Sequence, residues 1–279
     1  CFVLGMWCAR LQFFFVLALV TVSLCQNTPP PPYTGSYYND IDTSLKGKAF
    51  EQNLTSLISS NIHSISYDDL WDAFNITDTV WADCPGQIHD IYSTKCWVYD
   101  TEQCGNYKTE GDCYNREHSW PKSWWGGSSD NEYAYTDLHH IFPSDGYDNS
   151  RRSNYPYGNV IPGTDVYQTD NGCLLGTCNT FKQGQIECWE LPDELKGDLA
   201  RGYFYMSTRY EDEFYCCSED GVDDAAIREW MEFTLRSWNK IDPVSTDEYN
   251  RQNAIFGIQN NRNPYIDHPE WIEKIYNFQ

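Results

Sequence analysis

Apolar residues recur every three or four positions in several parts of the chain, a spacing that places them on one face of an α-helix. The clearest case is the stretch 45–60, where Phe50, Leu54, Leu57 and Ile58 form one stripe. The same spacing predicts further helical segments over 67–74 (helix or turn), from residue 194 onward through Leu195, Leu199, Tyr203 and Met206, over 225–238 and over 247–257.

Strand patterns are confined to the middle of the chain. Alternating apolar and polar residues predict a strand over 90–99, whereas 100–180 is rich in Gly, Asn, Asp, Ser and Tyr and predicts many loops. Apolar positions within 137–143 predict a short strand, after which Ser144 or Asp145 caps a helix. Helices around a small irregular centre of strands and loops indicate a single α+β domain.

The first residues form a targeting segment. The apolar run 11–24 follows Arg10 and is short for a membrane span, which is typical of a signal peptide over 1–25; a signal anchor is the alternative. A Pro-rich linker follows over 26–36, and the folded domain is expected over 37–279. We expect no membrane attachment after the signal peptide is cleaved.

Nine of the 12 cysteines lie beyond this leader. In an oxidising compartment they predict a disulfide framework with one cysteine left over, while the lack of paired Cys-x-x-Cys motifs argues against zinc. The neighbours Cys216 and Cys217 are expected to bond to different partners. Asn53 and Asn75 begin glycosylation triplets, which predicts a glycoprotein. The expected location is secreted or lumenal: extracellular, periplasm-like or in a digestive vacuole.

The charge excludes tight static binding of polyanions, because the formal net charge is -22. Even the stretch 115–165 carries only Arg116, Lys122, Arg151 and Arg152 against seven carboxylates. An enzyme that needs only local positive charge and a cation tolerates this acidity, whereas a regulatory DNA-binding protein would not.

Candidate chemistry is concentrated between residues 115 and 154. Glu117 and His118 place a hard oxygen ligand beside an imidazole, and both side chains reach one site only where their strand ends, as Pro121 suggests. Asn149 supplies a second oxygen ligand on the predicted helix. Neighbouring arginines neutralise a phosphate, so this set can hold one divalent cation and activate a water molecule.

Several ordered blocks resemble the endonuclease I family of periplasmic and extracellular nucleases. The blocks are NREHSWPKSWW, TDLHHIFPSDGYDNSRRSNYPYG, ELKGDLARGYFYMSTRY and NRNPYIDHPEW, and the similarity extends upstream to LISSNIHSISYDDLWDAF and IHDIYS. The similarity extends from about Tyr37 over nearly all of the mature chain. It implies a ββα-metal (His-Me finger) centre flanked by helices within a disulfide-stabilised α+β domain.

The resemblance also implies roles for individual residues. Glu117 and Asn149 would ligate one Mg²⁺, or another hard divalent cation such as Ca²⁺ or Mn²⁺, with His118 as general base and Arg152 as the catalytic arginine. The remaining candidates have supporting roles at the site (Arg116, His139, His140, Asn154) or contact substrate phosphates (Arg151, Arg201, Arg209). Two departures from the family pattern are His140, where Asn is common, and the ligand context Tyr147-Asp148-Asn149-Ser150.

The expected function is therefore a secreted, metal-dependent, sugar-nonspecific endonuclease that acts as a monomer on DNA, RNA or both and leaves 5′-phosphate ends. Two alternatives stay open on sequence grounds. The acidity favours a non-catalytic extracellular binding domain, and the same residues also suit a secreted phosphodiesterase for small substrates.

Overall fold

A computed structural model describes residues 29–126 and 132–278. The expected signal peptide lies outside the described residues, and the described part of the predicted linker, 29–36, contains no helix or strand. Within the described ranges, no helix combines the length and apolar character needed to cross a membrane.

The described residues form eight α-helices and two short 3-10 helices. The α-helices are α1 (Gly47–Ile58), α2 (Leu70–Thr77), α3 (Glu132–Thr136), α4 (Gly146–Arg152), α5 (Asp193–Arg209), α6 (Glu229–Ile241), α7 (Thr246–Gln259) and α8 (Pro264–Asp267), and the 3-10 helices are Lys122–Trp125 and Pro269–Lys274.

Nine short strands pair into four small antiparallel sheets in the described part of the chain. The sheets are β1 (Ile88–His89) with β2 (Cys96–Trp97), β3 (Tyr114–His118) with β4 (Ile141–Asp145), β5 (Tyr167–Gln168) with β6 (Leu174–Thr180) and β7 (Gly184–Glu190), and β8 (Val222–Asp223) with β9 (Ala226–Ile227). Mixed helices and small sheets confirm the predicted α+β class and the single domain.

Helix α5 is the centre of the hydrophobic core. Its predicted stripe residues Leu199, Tyr203 and Met206 are all fully buried. Such burial contributes roughly 1.5–3 kcal/mol for each large apolar side chain. The helix also approaches the end of α6 closely, because a Cβ at Gly197 would lie 1.9 Å from the Asp242 carbonyl oxygen. This close packing holds α5 against α6, and Tyr203 Oη on α5 donates at 2.7 Å to the carbonyl of Ser119, which directly follows β3.

The predicted strand over 90–99 is wrong. The Asp90 carboxylate accepts hydrogen bonds from the backbone N–H groups of Tyr92 and Ser93, each at 2.7 Å, and from Trp97 Nε1 at 2.6 Å. These local bonds turn the chain and compete with a strand ladder, so only the two residues of β2 are in a strand within this range. Similarly, α6 begins at Glu229 rather than near residue 225, because β9 pairs with β8 just before it.

The disulfide framework is confirmed, with one correction. Three bonds close local loops, and buried Cys173 is the cysteine left over; the bonds are Cys84–Cys96, Cys104–Cys113 and Cys178–Cys188. Cys216 and Cys217 bond to each other, contrary to the expectation of different partners. Among the described cysteines, the local loops use six and Cys173 is enclosed in the core, which leaves Cys216 and Cys217 to pair with each other.

Candidate active site

A strand–strand–helix unit positions the candidate residues. Strand β3 pairs with β4 so that Glu117 lies opposite Phe142 and His118 opposite Ile141. Helix α4 follows β4 directly, and Asp145 caps it by accepting from the backbone N–H groups of residues 147 and 148. The predicted capping residue is thereby confirmed. The hairpin and its helix match the strand–strand–helix order of a ββα unit.

Glu117 is a buried carboxylate that is held by one of its oxygens. Its Oε1 accepts from Tyr92 Oη at 2.8 Å and from Arg152 Nη1 at 2.7 Å, while Oε2 has no hydrogen-bond donor among the residues described. Burial raises the pKa of Glu117 to about 7, against the attraction of the Arg152 guanidinium, which lowers it. The carboxylate is thus oriented by one oxygen and has the other available as a ligand.

His118 is fixed in one orientation by the backbone. Its Nε2 lies 3.1 Å from the Tyr135 carbonyl oxygen, and a carbonyl can only accept, so Nε2 carries the proton and Nδ1 is the free acceptor. The Tyr135 ring also stacks on the imidazole at 5.3 Å. Burial lowers the pKa of His118 to about 3, with smaller contributions from His140, Lys122 and Arg116. The imidazole is therefore neutral at physiological pH.

Arg152 is buried between the two strand residues and α5. Besides Glu117, it donates to the carbonyl oxygens of His118 at 3.1 Å and Ser119 at 2.6 Å, and its guanidinium lies 4.4 Å from the ring centre of Tyr157. Only 1% of the residue is exposed. These contacts attach the end of α4 to the end of β3.

Asn149 lies three residues before Arg152 on α4, so the two side chains share a helix face. Its Nδ2 donates to Ser144 Oγ at 3.2 Å, which leaves Oδ1 without a donor among the described residues. Because Arg152 on that face contacts Glu117, the face is turned toward β3. Oxygen atoms from Glu117 and Asn149 are the kind of ligand that a hard cation takes.

Two cations and two tyrosines border the imidazole. The Arg116 guanidinium lies 3.6 Å from the ring centre of Tyr67, and the Lys122 amine lies 4.6 Å from that of Tyr135. The Tyr67 and Tyr135 rings stack on each other at 4.6 Å. Sequence analysis did not assign Lys122 or either tyrosine to the site, although Lys122 stands in the same block as His118.

His139 and His140 are buried behind the hairpin. The His140 Nε2 donates to the Ala134 carbonyl at 2.7 Å, and the His139 ring packs on Tyr205 at 4.6 Å. Burial lowers the pKa of each imidazole to about 4. Both are therefore neutral, packed rings at physiological pH.

The other candidate arginines differ in their surroundings. Arg201 is fully buried, and its five N–H groups meet Glu248, Asp198, Asn239 and the Asp242 carbonyl, so none is left for a phosphate.

Arg209 is also largely buried, and it forms an ion pair with the more exposed Glu213. Arg151 and Asn154 are exposed at the end of α4, and the Arg151 guanidinium lies 4.9 Å from the Tyr167 ring centre. Arg151 is therefore accessible to solvent.

Trp124 and Trp125 are packed in the core, with 1% and 7% of their surface exposed, and are not open to stacking by bases. Among the described residues, Asp83, Cys84 and His89 are close enough together to suggest a metal group. Cys84 is bonded to Cys96, however, so its sulfur is not a thiolate ligand.

Comparison with known proteins identifies the family. The family model for endonuclease I matches residues 46–270. The chain is 31% identical over 261 residues to the extracellular ribonuclease of Bacillus subtilis (strain 168), covering 89% of this chain and 81% of that protein. It is 33% identical over 258 residues to the extracellular ribonuclease of Bacillus amyloliquefaciens, covering 88% and 80%.

A shorter match is to a protein named as a deoxyribonuclease. The extracellular deoxyribonuclease of Aeromonas hydrophila is 27% identical over 134 residues, 47% of this chain and 48% of that protein. The disulfides fit the secreted or lumenal location expected from the sequence. The family match covers most of the chain together with the strand–strand–helix unit, and the protein therefore belongs to the endonuclease I family of extracellular and periplasmic nucleases.

Proposed function

We propose that the protein is a metal-dependent endonuclease that hydrolyses phosphodiester bonds in both RNA and DNA and leaves 5′-phosphate ends. The observation that carries the proposal is the contact of Arg152 with Glu117 beside the oriented imidazole of His118. Relatives named ribonuclease and deoxyribonuclease both align with this chain, which supports a site that does not select the sugar.

His118 acts as the general base. Its Nδ1 is the free acceptor because Nε2–H donates to Tyr135, and the neutral ring takes a proton from the attacking water. A carbonyl that holds the other ring nitrogen keeps this tautomer in place. The low pKa of the imidazole keeps the base unprotonated across the neutral range.

Glu117 Oε2 and Asn149 Oδ1 would hold one hard divalent cation, with Mg²⁺ preferred. The fit rests on the donor atoms: Arg152 and Tyr92 occupy the other Glu117 oxygen, and Ser144 accepts from the other Asn149 atom. When bound, such a cation stabilises the charge that develops on the phosphate oxygens. Arg152 acts on this site by orienting Glu117, since its Nη1 and Nη2 groups donate within the protein and its Nε is buried.

The test is cleavage of plasmid DNA and of RNA by the purified protein, with Mg²⁺ or with EDTA. We expect cleavage of both polymers only with the cation, and a loss of about 10²- to 10⁴-fold in kcat for His118→Ala. His63→Ala is the control, because His63 is exposed and far from β3 in the chain. Full activity of His118→Ala, or cleavage that EDTA does not affect, would contradict the proposal.

A further inference from the structure

Because the protein is acidic, the positions of lysines and arginines without a carboxylate partner show where it can attract an anion. Most lysines and arginines in the described ranges contact carboxylates, as Lys196 does with Glu190 and Asp193. Lys122 has no carboxylate within 4.0 Å among the side chains described over 29–126 and 133–278, and its amine lies over the Tyr135 ring. Within that part of the chain, a positive charge without an acidic partner therefore lies next to the ring whose backbone carbonyl orients the general base.

Arg116 supplies a second positive charge on the same side. Its guanidinium lies between the rings of Tyr67 and Trp71, with ring centres at 3.6 and 4.3 Å, and Nη1 donates to the Tyr67 carbonyl. The nearest carboxylate, Asp68, is 3.6 Å away with its side chain 96% exposed, so this ion pair is weak. Its Nε has no acceptor among the residues described.

Aromatic contacts connect both charges to His118. Tyr135 holds His118 Nε2–H by its carbonyl and supports the Lys122 amine by its ring, while Tyr67 stacks on Tyr135 and carries Arg116. Rings hold a cation without neutralising it, so each charge keeps its attraction for an anion.

We propose that Lys122 and Arg116 form a phosphate-binding strip beside His118, which binds the nucleic-acid strand at phosphates next to the bond that is cleaved. This inference rests on the proposed function and specifies its substrate class. A dinucleotide has no neighbouring phosphate for the strip to bind. The enzyme therefore prefers long strands to dinucleotides and small phosphodiesters.

The strip explains how a protein of net charge -22 can bind a polyanion. Local cations held beside the reacting bond attract the strand, and the surrounding carboxylates limit binding elsewhere. Each phosphate contact releases counterions, so affinity scales as roughly the 0.7 to 0.9 power of inverse salt concentration per contact. Loss of one contact then weakens binding by about five- to eightfold at about 0.1 M salt.

The experiment measures kcat and KM with a long strand and with a dinucleotide over a range of salt concentrations. For Lys122→Gln we expect KM for the long strand to rise about five- to eightfold, its salt slope to fall by roughly one, and the preference for long strands to fall equally. Lys122→Arg should keep the wild-type KM, because it keeps the charge. Lys46→Gln is the matched control, since Lys46 is exposed without an ion pair among the described residues and lies before α1.

Two results would contradict the proposed phosphate-binding strip without contradicting the proposed function. One is metal-dependent cleavage in which Lys122→Gln and Arg116→Met both keep the wild-type KM and salt slope. The other is a fall in kcat that is equal for strand and dinucleotide, because that places the effect at the reacting bond. Absence of metal-dependent cleavage in the wild-type protein would instead contradict the proposed function itself.

Discussion

Replacing Arg152 by methionine tests whether this residue organises the site. The arginine joins Glu117 to the carbonyls of His118 and Ser119, and it is 1% exposed. Methionine fills much of the space without donors. The substitution therefore leaves a buried carboxylate without its cation and removes the arginine's hydrogen bonds to both carbonyls, of which that of Ser119 keeps the hydrogen bond from Tyr203 Oη.

The expected cost follows from the burial of the pair. Removing one partner of a buried ion pair costs roughly 3–5 kcal/mol, because the remaining charge is left uncompensated. Most domains have only about 5–15 kcal/mol of unfolding free energy, so Arg152→Met should remain folded at low temperature but with a greatly reduced margin. Adding Glu117→Gln to this variant should restore part of the loss, since it removes the unpaired charge.

Urea unfolding of the wild type, both single variants and the double variant measures the coupling between the two residues. We expect a coupling free energy of about 2 kcal/mol or more between Arg152 and Glu117. Cation titration of Arg152→Met should also show weaker binding, because Glu117 loses its orientation. If Arg152→Met loses activity but less than about 1 kcal/mol of unfolding free energy, Arg152 acts on the phosphate directly and the positioning role is wrong.

Three further predictions concern the surroundings of the site. The difference in unfolding free energy between the wild type and His140→Gln should be about 1 kcal/mol less favourable to the wild type at pH 5.5 than at pH 7. The reason is that the pKa of His140 is about 4 in the folded protein, below its value in the unfolded chain, so only the unfolded chain gains a proton. An equal difference at both pH values would contradict this. Arg201→Met should lower the unfolding free energy measured in urea by roughly 3–5 kcal/mol and leave the KM of the folded protein unchanged. A raised KM would indicate that Arg201 contacts a phosphate. Replacing Cys178 and Cys188 by serine should lower the unfolding free energy, followed by thermal unfolding, by roughly 2–3 kcal/mol, as expected for a loop of 10 residues. An unchanged Tm would show that the disulfide does not constrain the unfolded chain.

Elements with a strong local signal were predictable from sequence. The stripe in 45–60 predicted α1, and the spacing from residue 194 onward predicted α5, because one buried face repeats at the helical period. The cap at Asp145 was predictable because a side-chain oxygen beside a helix start satisfies free backbone N–H groups. In contrast, the 90–99 segment alternates like a strand, but the buried Asp90 carboxylate bends it.

The surroundings of the site were less predictable, since its partners are distant in sequence. Motif and resemblance selected Glu117, His118 and Arg152, but the contact of Arg152 with Glu117 spans 35 residues and required coordinates. Tyr135 contributes a backbone carbonyl, which any residue type possesses, so its identity carried no signal. Sequence also gave no means to see that Arg201 is enclosed by carboxylates rather than open to substrate.

The central claim is that Glu117 and Asn149 bind one cation beside His118. Diffraction from crystals soaked in Mn²⁺, with anomalous data collected at the manganese edge, tests it most directly. We predict a single ion within about 2.3 Å of Glu117 Oε2 and Asn149 Oδ1. Manganese bound only at other residues, in crystals of protein that cleaves nucleic acid with Mn²⁺, would contradict the assignment of Glu117 and Asn149 as the cation ligands.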